Sequence, residues 1–168
     1  MPLGRPMETV DERLVRAPAD AIFDIASRVE QWPAYLPHYR YVRFRERRAD
    51  GGGVVEMSAN RPFQLGDTWR LNWPTWWLSE MSVRESPPSI RFRHIGGITK
   101  GMDVEWTFTP APGGAHVRIV HVWDGPALPI VGVWAAIYVI GPIFVHGIAS
   151  RTLEGLALVA EGETRNQW

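Results

Sequence analysis

Over residues 40–124 apolar and polar positions alternate in short runs broken by turn residues, and from Gly125 to Ser150 no Asp, Glu, Lys or Arg occurs. Alternation at a period of two predicts strands with one face buried and the other wet. The uncharged run GPALPIVGVWAAIYVIGPIFVHGIAS continues into RTLEGLALVAEGE, whose apolar residues recur at helical spacing. A long apolar helix of this kind is the natural cover for the dry face of the sheet.

The elements follow from that pattern. Residues 9–16 predict a first strand, with Val10 and Leu14 on one side and Arg13 and Val15 on the other, so its inward face stays open. Ala17-Pro18 opens a helix, because proline is tolerated in a first turn and Asp20 suits the positive end; Ile22, Ile25, Ala26 and Val29 form its apolar face. Pro33 and Pro37 cut the next piece, WPAYLPHY, into a short second helix. Six strands are then expected at residues 40–48, 54–60, 69–84, 90–95, 102–109 and 115–124, with residues 62–67 as a loop and Pro74 as a bulge or strand start. Strand, two helices, six strands and a long helix make an α+β arrangement: one curved antiparallel sheet of about seven strands, its edge closed by the first strand.

Strand parity then sorts candidates for the interior. Phe92 and His94 fall inward on one strand, Trp106 on the next, Ile119 and His121 on the last, and Trp77 carries Met81 inward with it. On the final helix Val145, Ile148 and Thr152 share a stripe, while Arg151 and Glu154 point elsewhere. His94 and His121 are the notable members. On an apolar face each either fixes a ligand's carbonyl or hydroxyl, or moves a proton near neutral pH, or is a core residue satisfied by a protein partner. The many tryptophans, among them Trp69, Trp73, Trp76, Trp123 and Trp134, fill a core or wall a pocket.

Composition narrows the chemistry. The 168 residues fit a single domain, 1–168 with a core at about 9–161. Eighteen basic and 18 acidic residues give no net charge, which disfavours nucleic acid as a partner. Absence of cysteine excludes disulfides, thiolate zinc sites and cysteine nucleophiles, and no HxxxH, HExxH or clustered-carboxylate spacing points to a metal or other cofactor. No GxSxG elbow or phosphate-loop spacing is present. Arg43, Arg45, Arg47, Arg91 and Arg93 fall on outward faces: a solvated surface, or a site of transient contact with anionic membrane lipid. The start of the chain has no apolar signal core, so the expected location is cytoplasmic. Residues 126–150 are long enough to span a bilayer, but Pro129, Gly132, Gly141 and Pro142 interrupt them. A buried lid at 126–140 followed by a helix is expected instead.

The order of elements, with Ala17-Pro18, Trp32-Pro33, Trp77-Leu78-Ser79-Glu80 and Gly101-Met102-Asp103-Val104-Glu105-Trp106, resembles the START-like (SRPBCC, Bet v 1-like) helix-grip superfamily. The likeness is strongest to polyketide cyclase/dehydrase and coenzyme Q-binding START-like proteins, and it covers about residues 9–161. It implies a deep apolar cavity between sheet and C-terminal helix, and activities from lipid and quinone binding to cyclisation of poly-β-keto chains. In the aromatase/cyclases the run W-x-W-x-S-x-R ends in an inward arginine that polarises a substrate carbonyl; Trp77 and Ser79 match, but Met81 stands at the arginine position. A thioether cannot take over that role. The tyrosine seven positions after the Trp-Pro tryptophan is kept as Tyr39. The expected function is therefore binding or transport of a lipid, isoprenoid quinone or polyketide, in a site made of Tyr39, Trp77, Met81, Phe92, His94, Trp106, Ile119, His121, Val145, Ile148 and Thr152. The alternative is a cyclase, aromatase or dehydratase in which Tyr39, His94 and His121 are the acid/base candidates.

Overall fold

The computed structural model describes residues 7–65, 69–97, 99–125 and 146–162. The chain runs β1 (Met7–Val15), α1 (Ala19–Ser27), a 3-10 turn (Val29–Gln31), α2 (Trp32–Tyr35), β2 (Tyr39–Arg47), β3 (Gly53–Leu65), β4 (Trp69–Glu85), β5 (Pro88–Gly97), β6 (Asp103–Ala111), β7 (Gly114–Trp123) and α3 (His146–Ala160). All neighbouring strands are antiparallel, and the sheet order is β1-β7-β6-β5-β4-β3-β2. Five consecutive hairpins thus make the meander, and β1 seals the edge that β7 would leave bare. The α1–α2 segment links the two edge strands, and α3 packs on β1 and α1 while touching α2 and β3. A sheet closed around a helix in this way is the helix-grip arrangement.

The inner face is apolar because alternate residues share it: Val55, Met57 and Ala59 on β3, Ile90 and Phe92 on β5, Val104, Trp106 and Phe108 on β6, and Val117 and Ile119 on β7 are all buried. From α3, Ala149, Thr152, Leu153, Leu156 and Ala157 complete the core, while Arg151 and Glu154 are exposed. Gly155 lets α3 lie close to the segment before β2, since a Cβ there would sit 2.2 Å from Leu36 Cδ2. Glu161, just past α3, accepts a 2.8 Å hydrogen bond from the Arg16 amide and so ties the end of α3 to the end of β1.

Several expectations change. On β1 the buried positions are Met7, Asp11 and Val15, whereas Val10 and Leu14 are 40% and 51% exposed; the edge strand turns its more apolar pair outward. The loop expected at residues 62–67 is largely strand, because Pro62 pairs with Asn72 and the β3–β4 ladder continues to Leu65↔Trp69. Pro74 is no bulge either: it sits in unbroken register with Asn60. The break in β4 pairing lies against β5, where Ser79 faces His94 and Leu78 faces Gly96, leaving Ile95 as the extra residue. The expected lid at 126–140, the candidate Val145 and the Gly141-Pro142 helix start lie outside the described residues. Among the described residues no helix is long and apolar enough to cross a membrane. Four of the five outward arginines are paired, Arg45 with Glu56, Arg47 with Glu30, Arg91 with Glu105 and Arg93 with Asp103, while the Arg43 guanidinium lies 4.7 Å from the centre of the Tyr41 ring.

Candidate functional site

The two ends of the inner face differ. Towards the β4–β5 and β6–β7 turns the interior is solid: Phe23 of α1 meets Phe108 edge-on with ring centres 5.4 Å apart, and Trp106 lies 6.4 Å from the same ring. Trp32, at the start of α2, caps this packed half. Its ring stands 5.7 Å from Trp106, 6.4 Å from Phe92 and 5.3 Å from Tyr39. Beyond it a cavity opens, with about 80 Å³ available to the centre of a water-sized sphere. One water needs roughly 10–15 Å³ by that measure, so there is room for a ligand of several heavy atoms.

Among the described residues, the wall is built by Trp32 and Tyr39, by Met57, Thr75 and Trp77 of β3 and β4, by Phe92 and His94 of β5, and by Met102, Val104, Trp106 and His121 of β6, β7 and their approach. Thr99 adds to it from the β5–β6 turn, and Ile148, Ala149 and Thr152 close it from α3. The structure therefore brings Tyr39, Trp77, Phe92, His94, Trp106, His121, Ile148 and Thr152 together. Met81 and Ile119 are buried but stand off the wall. Met81 is the cross-strand neighbour of Phe92 and Ile119 that of Trp106, so each lies in the sheet beside a ring that does line the cavity. The position at which the aromatase/cyclase pattern carries its arginine thus holds a core thioether outside the cavity.

The polar groups fall into two sets. At the α3 side, Thr152 Oγ1 donates to the Ile148 carbonyl at 2.7 Å and lies 3.2 Å from both Tyr39 Oη and His38 Nε2. With its own proton given to the helix backbone, Thr152 accepts from the Tyr39 hydroxyl. Burial raises the Tyr39 pKa well above the ordinary phenol range, opposed only in part by Thr152, so the phenol is neutral and its proton is engaged. At the opposite side, His94 Nδ1 lies 2.6 Å from Thr99 Oγ1, and Trp77 stacks on the imidazole at 6.1 Å with planes 18° apart. Burial pushes the His94 pKa down to about 3, with Asp103 pulling weakly the other way. The ring is neutral under physiological conditions. His121 is buried on the wall, opposite Val104 in the sheet. Thr75 is satisfied by the Ala59 carbonyl at 3.1 Å. No group of three His, Asp or Glu among the described residues is placed to hold a metal ion.

Strand parity does not reach Thr99 or His38, because both lie outside the regular strands. Thr99 sits in a turn that folds back on its own strand: the Gly101 amide donates to the His94 carbonyl at 2.8 Å and the His94 amide to Met102 at 2.9 Å. The available signal was the glycine-rich link itself, which returns its Thr to a histidine five residues earlier.

A helix-grip domain with an aromatic-walled cavity between sheet and C-terminal helix defines the class. Residues 15–137 match the family model described as polyketide cyclase / dehydrase and lipid transport, and the chain belongs to that family. A Streptomyces halstedii protein provisionally named a polyketide cyclase is 26% identical over 111 residues, covering 66% of this chain and 94% of that protein. Two solved structures share the fold. The Zhui aromatase/cyclase from Streptomyces sp. R1128 aligns with a TM-score of 0.70 at 14% identity, over 95% of this chain and 96% of the other. A START superfamily protein from Mycobacterium smegmatis gives 0.60 at 18% identity, over 92% and 94%.

Proposed function

We propose that the protein binds and carries a hydrophobic small molecule, a lipid, isoprenoid quinone or polyketide, in the cavity between its sheet and α3. The observation that carries this reading is the character of the wall: indole, phenyl and thioether surface, with the phenol of Tyr39 and the imidazole of His94 both held neutral by burial. Such a lining favours an apolar guest through area removed from water and asks few polar groups to orient it. General acid catalysis by His94 would need an imidazolium, which its pKa of about 3 denies near neutrality. Four of the five outward arginines are committed to carboxylates on neighbouring elements, which supports a solvated face over a lipid-docking one.

A second reading, a cyclase, aromatase or dehydratase acting on a poly-β-keto chain, draws on the family and on the Zhui aromatase/cyclase likeness. One experiment separates the two. Native protein is extracted with organic solvent for mass spectrometry and, in parallel, incubated with a linear poly-β-keto substrate. Recovery of an unchanged lipid or quinone without cyclised product is the expected result. Cyclised product that disappears in His94→Ala or His121→Ala would establish the enzyme instead.

A further inference from the structure

The two ends of the cavity leave different groups for a guest. At the α3 end the hydroxyls of Tyr39 and Thr152 are occupied by one another and by the Ile148 carbonyl. At the β5 end, Thr99 Oγ1 has one hydrogen-bond partner among the described residues, His94 Nδ1. A buried hydroxyl needs an acceptor for its proton, and here Nδ1 is the acceptor within reach. An imidazole that accepts at Nδ1 carries its own proton at Nε2, and Nε2 has no protein partner among the described residues. We infer that Thr99 fixes His94 as the Nε2–H tautomer, so that the wall presents its guest an oriented imidazole N–H donor and selects apolar molecules that bear a carbonyl oxygen.

This rests on the ligand-holding reading and narrows its substrate class to ketones and quinones over hydrocarbons. Thr99 is a positioning residue in this account and His94 the contact. The β5–β6 turn is suited to the task, being pinned by Lys100 N to Gly97 O at 3.2 Å and Met102 N to Thr99 O at 3.0 Å. Trp77, stacked on the imidazole, keeps the ring plane fixed. Because the ring stays neutral down to acid pH, the tautomer persists across the physiological range.

The test combines a spectroscopic readout on the unaltered protein with binding of defined probes. In protein labelled with 15N-histidine, long-range 15N–1H correlation of the imidazoles should give the Nε2–H pattern for His94, and Thr99→Val should weaken that preference while Thr99→Ser keeps it. Binding is measured for tetralin, 1-tetralone and 2-methyl-1,4-naphthoquinone, the last two standing for a ketone and a quinone source of the same carbonyl. His94→Phe should weaken the two carbonyl probes by about tenfold, and Thr99→Val by about threefold, as loss of one buried hydrogen bond predicts, with tetralin changed by less than about twofold. The tighter carbonyl probe then indicates the source. An Nδ1–H pattern for His94, or carbonyl probes no more sensitive to His94→Phe than tetralin, would overturn the inference and leave the ligand-holding reading standing. Failure of all three probes to bind while His94 shows Nε2–H would remove that reading and, with it, the selection of carbonyl guests.

Discussion

The α3 corner and the β5 corner of the cavity contain the same kind of side chain, a hydroxyl beside an aromatic ring with polar atoms, and use it in opposite ways. Around Thr152 every proton has a protein acceptor, and the chain Tyr39–Thr152–Ile148 joins the start of β2 to α3. Around Thr99 the hydroxyl serves only to orient His94. A closed network gives rigidity, because breaking any link strands a buried polar group. An open one gives recognition, because a donor left over by the protein takes its acceptor from the guest. The difference lies in backbone context: a helix supplies Thr152 with a carbonyl one turn back, and a turn supplies Thr99 with none.

The bluntest way to break this contrast is to remove the ring that holds the cavity open against the packed half. Trp32→Ala should cost about 3–5 kcal/mol in urea unfolding, since a buried indole touching Tyr39, Phe92 and Trp106 is lost. Next comes protonation of the open corner. The folded protein holds His94 near pKa 3 against an ordinary 6.5, so between those values the unfolded chain binds the extra proton. Stability is therefore complete above about pH 6.5 and falls as pH drops, by about 1.4 kcal/mol per pH unit from this group. His94→Gln should flatten that slope between pH 4 and 6 while leaving the contributions of Glu56 and Glu161, whose depressed pKa values act in the same direction.

The closed corner gives the next smaller effect. Thr152→Val should destabilise by about 1–3 kcal/mol because the buried Tyr39 hydroxyl loses its acceptor. Combining it with Tyr39→Phe should recover part of the loss in a double-mutant cycle, and strict additivity would show that the two hydroxyls are not coupled. The smallest effect belongs outside both corners. Arg93→Ala breaks an exposed pair with Asp103 and should shift stability by less than about 1 kcal/mol, diminishing further in high salt.

Much of this was legible before the fold was known, for a physical reason. A pleat with period two writes its inward face into the sequence, so Phe92, His94, Trp106 and His121 could be read from their apolar neighbours. The same rule could not say how far along the face the cavity extends. Met81 and Ile119 have the right parity and are buried, yet neither is part of the cavity wall. Parity leaves the inward face of β1 open, and the edge strand buries Asp11 and exposes Leu14. Thr99 and His38 depend on how turns fold back through space, which no periodicity records. Proline signals a break at positions 62 and 74, yet both residues sit in register in the β3–β4 ladder.

The extra residue at Ile95 has a consequence for the direction in which β5 ends. A one-residue insertion changes the phase of every position after it: Phe92 and His94 face inward, and then Gly97, opposite Trp77, takes the inward side in place of Gly96. Gly97 can do so because it adopts φ +87, and any Cβ there would meet the Trp76 carbonyl at 2.4 Å. Deleting one residue at this point would present the following turn from the opposite side of the pleat, carrying Thr99 away from the imidazole with every other strand untouched. The phase of a single strand end thus decides whether the wall keeps an oriented donor or only an aromatic surface.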